Sequence, residues 1–89
     1  MAVKEFTVKN RLGLHARPAA LFVQTTSRYR SNVKVRKGEQ EVDGKSIMGL
    51  MMLAAEEGSK VVVTAIGLDE NDVLTALDAL FTNRFDEKD

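Results

Sequence analysis

Hydrophobic and polar residues alternate at the start of the chain. In AVKEFTVK, residues 2–9, Phe6 and Val8 share one face while Glu5, Thr7 and Lys9 share the other, the period of two that predicts a half-buried strand. After the turn-like NRLG the period lengthens. From Ala16 onward, Ala19, Phe22, Val23 and Thr26 stand at i, i+3, i+4 and i+7, which predicts a helix with one apolar face. Pro18 suits its first turn, because amides there have no intrahelical partner and a missing N–H costs nothing. NVKVRK sets Val33 and Val35 against Lys34 and Arg36, and a polar break at Gly38 separates it from EQEV, so a hairpin is predicted. Ser46 then precedes IMGLMMLAAEE, a helical run closing at Gly58. KVVVTAIG is β-branched through its middle and predicts a central strand. Asp69 reads as the N-cap of a last helix, whose Val73, Leu77, Leu80 and Phe81 recur at helical spacing as far as the charged tail DEKD.

The order strand, helix, strand, strand, helix, strand, helix predicts an α+β fold with helices covering one face of a sheet. Eighty-nine residues suit a single domain spanning 1–89. A hydrophobic share of 44% and a charged share of 29% are those of a folded globular protein. Thirteen basic and thirteen acidic residues cancel, so no overall positive field gathers nucleic acid or anionic lipid. The strands also carry few aromatics on which RNA bases would stack. Without cysteine there is no disulfide, thiolate nucleophile or Cys-based metal site. Neither a membrane span nor a signal peptide is seen in the apolar pattern, and a cytoplasmic protein is expected.

His15 is the single histidine, which rules out a two-histidine metal site; no metal or cofactor is expected. It falls where the GL turn meets the first predicted helix. Free amides and a partial positive charge at a helix start suit an anion such as phosphate, and the same field works against an imidazolium. A neutral imidazole there is a candidate nucleophile. Arg17 adds a planar guanidinium that matches phosphoryl oxygens. Taken alone, this pattern is weak and better describes a surface or capping histidine with an incidental arginine. A stand-alone enzyme is not indicated, since one histidine without a base, metal or substrate motif makes no pocket.

The run GLHARPAA, Gly13–Ala20, closely resembles the active-site motif of the histidine-containing phosphocarrier (HPr) family of the bacterial sugar phosphotransferase system. A second run, GKSIMGLMML from Gly44 to Leu53, resembles that family's regulatory serine segment. The resemblance extends over essentially the whole chain. It implies an open-faced β-sandwich, a four-stranded antiparallel sheet with three helices on one side. It implies that His15 is phosphorylated on Nδ1 by enzyme I, itself charged by phosphoenolpyruvate, that enzyme IIA domains receive the group, and that Arg17 supports it. Ser46 is implied as a regulatory site for an ATP-dependent HPr kinase/phosphorylase, and transcriptional regulators as further partners.

Serine is also a preferred N-cap, so Ser46 has a structural role available without any kinase. In the helix that follows, Leu50 and Leu53 read as the core pair. That leaves Ile47, Met48 and Met51 as an apolar patch whose flexible thioethers suit a carrier fitting several partners. The resemblance adds Pro18, Ala20, Leu21 and Gln24, on the helix after His15, to the docking surface. A monomer is expected. The alternative within the family is a regulatory or nitrogen-branch paralogue using the same His15 or Ser46. Sugar specificity would reside in downstream partners.

Overall fold

The computed structural model describes residues 1–87; Lys88 and Asp89, the end of the charged tail, lie outside the described residues. Four strands form one antiparallel sheet: β1 (Ala2–Thr7), β2 (Asn32–Lys37), β3 (Gln40–Asp43) and β4 (Lys60–Ile66), in the spatial order β1-β4-β2-β3. Three helices, α1 (Ala16–Thr26), α2 (Ile47–Met52) and α3 (Glu70–Thr82), lie on one side. The alternation read from the sequence assigns the two faces. Phe6, Val33, Val35, Val61, Val63 and Ala65 point to the helices and are buried. The opposite face sets Lys34 across from Asp43 and Arg36 across from Glu41, opposed charges that each add a few tenths of a kcal/mol, up to about 1.

β1 is shorter than the predicted 2–9. Val8 leaves the ladder because its N–H donates to the Ser59 carbonyl (2.8 Å) and its carbonyl accepts from Gly58 (2.8 Å), yet its side chain stays buried with Phe6 as predicted.

α2 stops at Met52, well before Gly58. Ala54 turns left-handed at φ 50°. Lys37 then covers the exposed helix end, its Nζ donating to the carbonyls of Leu53 (3.4 Å) and Ala54 (3.1 Å). The helical spacing of IMGLMMLAAEE contains no signal for this stop, which comes from a lysine on another element. Leu50 and Leu53 are buried, as read, while Ile47, Met48, Met51 and also Met52 are exposed.

α3 ends at Thr82 rather than running to the charged tail. Arg84, Phe85 and Asp86 form a single tight turn in which all three have left-handed φ, 52°, 54° and 61°. Each such residue costs about 1–2 kcal/mol relative to right-handed backbone. The turn puts Phe85 fully inside the core, against Phe81 at a centroid distance of 5.0 Å, and Phe81 stacks in turn on Phe6 at 4.5 Å. Burying one phenylalanine gives back about 3 kcal/mol before the aromatic contact is counted, so the turn is held mainly by the ring it buries. Val73, Leu77 and Phe81 are buried as predicted; Leu80 and Val23 are only partly so.

Asp69 occupies the N-cap position of α3 but makes no side-chain cap to it. Its carboxylate instead accepts from the backbone N–H of Arg30 (2.9 Å) and Ser31 (3.0 Å) and from the Ser31 hydroxyl. The Ser31 hydroxyl first, then the Arg30 amide, hold the carboxyl below its ordinary range. A carboxyl lowered by folding stabilises the native state above its unfolded value and loses that contribution as the pH falls through the folded value. Asp69→Asn is therefore expected to reduce stability at neutral pH and to flatten the acid limb, read by urea unfolding at a series of pH values. Parallel curves for the two proteins would show that the carboxylate charge is not what holds the loop.

Candidate functional site

The segment between β1 and α1 is tied down before it reaches the histidine. Leu14 is buried and donates its N–H to the Ala55 carbonyl (2.9 Å), and Gly13 donates to the Asn10 carbonyl (3.1 Å). Gly13 sits at φ 72°, a region open to glycine at no steric cost. A Cβ there would overlap the Ala55 carbonyl oxygen. Two independent restraints thus require glycine, and the early stop of α2 delivers Ala55 to make the contact.

His15 follows as the N-cap of α1, and its carbonyl accepts the first helical bond from Ala19 (3.0 Å). Its ring makes no cap to the helix, which leaves both nitrogens for other chemistry. Pro18 offers no N–H to the helix start, but no acidic residue occupies the first turn of α1, so that end keeps its attraction for an anion. Arg17 is exposed in that turn. Pro18, expected in the docking set, is buried, and its ring shapes the helix start; Ala20 and Leu21 are half-buried and Gln24 is exposed.

The tail supplies a residue that sequence reading left in a solvated charged segment. Glu87 Oε2 lies 2.7 Å from His15 Nε2, and its Oε1 accepts from Asn10 Nδ2 at 2.9 Å. Burial disfavours the Glu87 carboxylate, but hydrogen bonds from Asn10 and His15 and the charges of His15 and Arg17 outweigh that and hold its carboxyl below the ordinary range. The imidazole therefore has a carboxylate against Nε2 as well as the helix start beneath it, a neighbour the sequence reading did not supply. The one sequence signal for this contact is Phe85, an apolar residue interrupting polar neighbours two positions before Glu87.

His15 also borders a shallow depression of about 220 Å³ together with Leu12, Leu14, Met51, Ala54, Ala55 and Glu56. The structure therefore brings Met51 to the histidine. Met48, 74% exposed, and Ile47, 42% exposed, continue the apolar surface along α2, with Leu12 an addition the sequence reading did not make. Ser46 is the N-cap of α2, its hydroxyl accepting from the Gly49 N–H at 3.0 Å.

Residues 2–83 match the family model described as the PTS HPr component phosphorylation site. The phosphocarrier protein HPr of Pseudomonas aeruginosa is 50% identical over 98% of both chains, and that of Xylella fastidiosa strain Temecula1 is 48% identical, also over 98% of both. A crystal structure of HPr from Thermoanaerobacter tengcongensis superposes with a TM-score of 0.95 at 44% identity, covering 99% of each chain. Its fold is the open-faced sandwich found here. With a lone, partly exposed histidine at a helix start and these matches along nearly its full length, the chain belongs to the HPr family of phosphocarrier proteins of the phosphotransferase system.

Proposed function

We propose that this chain takes a phosphoryl group onto Nδ1 of His15 from phospho-enzyme I and passes it to enzyme IIA domains. The observation that carries this is the division of labour at the ring: Nε2 is engaged by Glu87, leaving Nδ1 as the nitrogen with a lone pair to give. Attack by neutral imidazole requires that lone pair, and the start of α1 receives the incoming oxygens. Arg17 spreads their charge.

The patch of Ile47, Met48 and Met51 beside the histidine is the docking surface, extended by Leu21 and Gln24 on α1. A single copy contains the whole site, so the working form is a monomer. No helix among the described residues is long and apolar enough to cross a membrane, and the proposed setting is the cytoplasm.

The test is transfer in both directions, from enzyme I to this chain and from this chain to an enzyme IIA domain. Arg17→Ala is expected to keep His15 as the acceptor but slow both steps about tenfold or more, by analogy with the loss of one charge-stabilising donor. Identical rates would make Arg17 incidental.

Ser46 is proposed as the regulatory site. Phosphorylating it, or Ser46→Asp as a partial mimic, places negative charge beside the Ile47, Met48 and Met51 patch. Desolvating that charge opposes docking. The expected result is weaker acceptance from enzyme I at limiting concentration with the fold kept. Equal rates for modified and unmodified protein would leave Ser46 as an N-cap alone, worth about 1 kcal/mol.

A further inference from the structure

The chain turns back on itself at its end to deliver one carboxylate. Phe85 is fully buried and carries no chemistry of its own. The strained turn Arg84–Asp86 around it has a clear geometric product: the backbone is redirected so that Glu87 reaches His15. Two bonds fix the carboxylate once there. Asn10, itself fully buried, takes Oε1, and His15 Nε2 takes Oε2. A casual surface ion pair would leave both groups in water, but the Glu87 side chain is only 15% exposed. Strain and anchor come from the turn at Arg84–Asp86 and the clamp from Asn10, far off in sequence, and together they set the Glu87 carboxylate against His15 Nε2.

We propose that Glu87 is a positioning residue for phosphoryl transfer, holding the proton on Nε2 and stabilising the positive charge that the His15 ring acquires when Nδ1 is phosphorylated. This rests on the proposed role of His15. In the accepting step the Nδ1 lone pair attacks phosphorus, the donor's bond to phosphorus breaks, and that electron pair returns to the donor. The ring has shared a lone pair without losing its Nε2 proton, so it becomes a phosphoimidazolium. In the donating step the Nδ1–phosphorus bond breaks, its pair returns to the ring, and the ring is neutral again. No proton has to leave or arrive in either direction.

A fixed carboxylate against Nε2–H lowers the energy of that cation and of the transition states on either side, which is electrostatic preorganisation acting through the ring. The other charged groups around the ring are Arg17 from α1 and Glu56 from the segment after α2. Neither is hydrogen-bonded to the imidazole among the described residues, whereas Glu87 is.

The test uses the full-length protein with enzyme I, phosphoenolpyruvate and an enzyme IIA domain. Glu87→Gln keeps an acceptor of the same shape and removes the charge; Glu87→Ala removes both. Glu87→Gln is expected to unfold thermally like the unsubstituted protein yet slow acceptance and donation alike by about tenfold, with Glu87→Ala slower still. The nitrogen-bound Nε2 proton should give a solvent-protected NMR resonance in the unsubstituted protein that is lost in Glu87→Ala.

A purely structural role predicts that glutamine restores the rates fully. Equal rates for Glu87→Gln and the unsubstituted protein, or an Nε2 proton equally protected in Glu87→Ala, would overturn the proposal. If the unsubstituted protein transfers phosphate through His15 and Glu87→Gln is just as fast, only the role of Glu87 fails. If His15 takes no phosphate in any of them, the carrier function fails first.

Discussion

Replacing His15 with alanine is expected to abolish phosphate acceptance from enzyme I while leaving thermal unfolding close to that of the unsubstituted chain. The chemical half of this follows from counting: no other imidazole exists in the sequence, and no other residue stands at the start of α1 with a nitrogen lone pair. The structural half follows from what the ring does not do. As N-cap, His15 contributes its backbone carbonyl to Ala19, which alanine retains, and its side chain makes no cap bond. What is lost is the hydrogen bond with Glu87, and such a bond contributes a net of about 0.5–1.5 kcal/mol. Glu87 keeps its bond from Asn10. Phosphate incorporated into His15→Ala at the unsubstituted level would contradict the assignment, and gross unfolding of the variant would contradict the picture of an unburdened N-cap.

The largest loss of stability from one added methyl group is expected at Gly13. Gly13→Ala places a β-carbon on the Ala55 carbonyl oxygen in a residue held at φ 72°. The left-handed backbone costs about 1–2 kcal/mol and local overpacking about 1–3 more. Escape requires pulling the segment off Ala55, which breaks the bond from Leu14 and lifts that buried side chain. Either way the fall in urea-unfolding free energy should be about 3 kcal/mol, and whatever folds should transfer phosphate slowly, because His15 is the second residue after the glycine. Unchanged stability would mean that this segment is free to move and that His15 is not positioned by its contact with the end of α2.

Most strands and helices were legible because a period of two or of 3.6, or a β-branched run, dominates each. Val33 and Val35 alternate cleanly, the β-branched run Val61–Val63 marks the central strand, and Ala19 with Phe22 or Val73 with Leu77 mark helix faces; Val33, Val35, Val61, Val63, Ala19, Phe22, Val73 and Leu77 are all buried. Element ends were less legible, because they are decided by side chains elsewhere in the chain. Lys37 covers the end of α2, and Asp69, a good N-cap by residue type, is drawn away by Ser31 and Arg30. The site divided in the same way. His15, Arg17 and Ser46 stand within local motifs and were singled out through the family those motifs resemble, their residue types alone fitting capping or surface positions as well. Glu87 meets His15 and Asn10 only because Phe85 is pulled into the core through a turn of three left-handed residues, and no local pattern encodes a contact spanning most of the chain.

The most direct measurement is to incubate the chain with enzyme I and phosphoenolpyruvate, map the modified residue by mass spectrometry, and identify the bonded ring nitrogen by NMR. A carrier acting through His15 gains one acid-labile phosphoryl group, on that residue, with phosphorus coupled to Nδ1 and the Nε2 proton retained. No adduct, an acid-stable adduct on a hydroxyl, or phosphorus on Nε2 would contradict it.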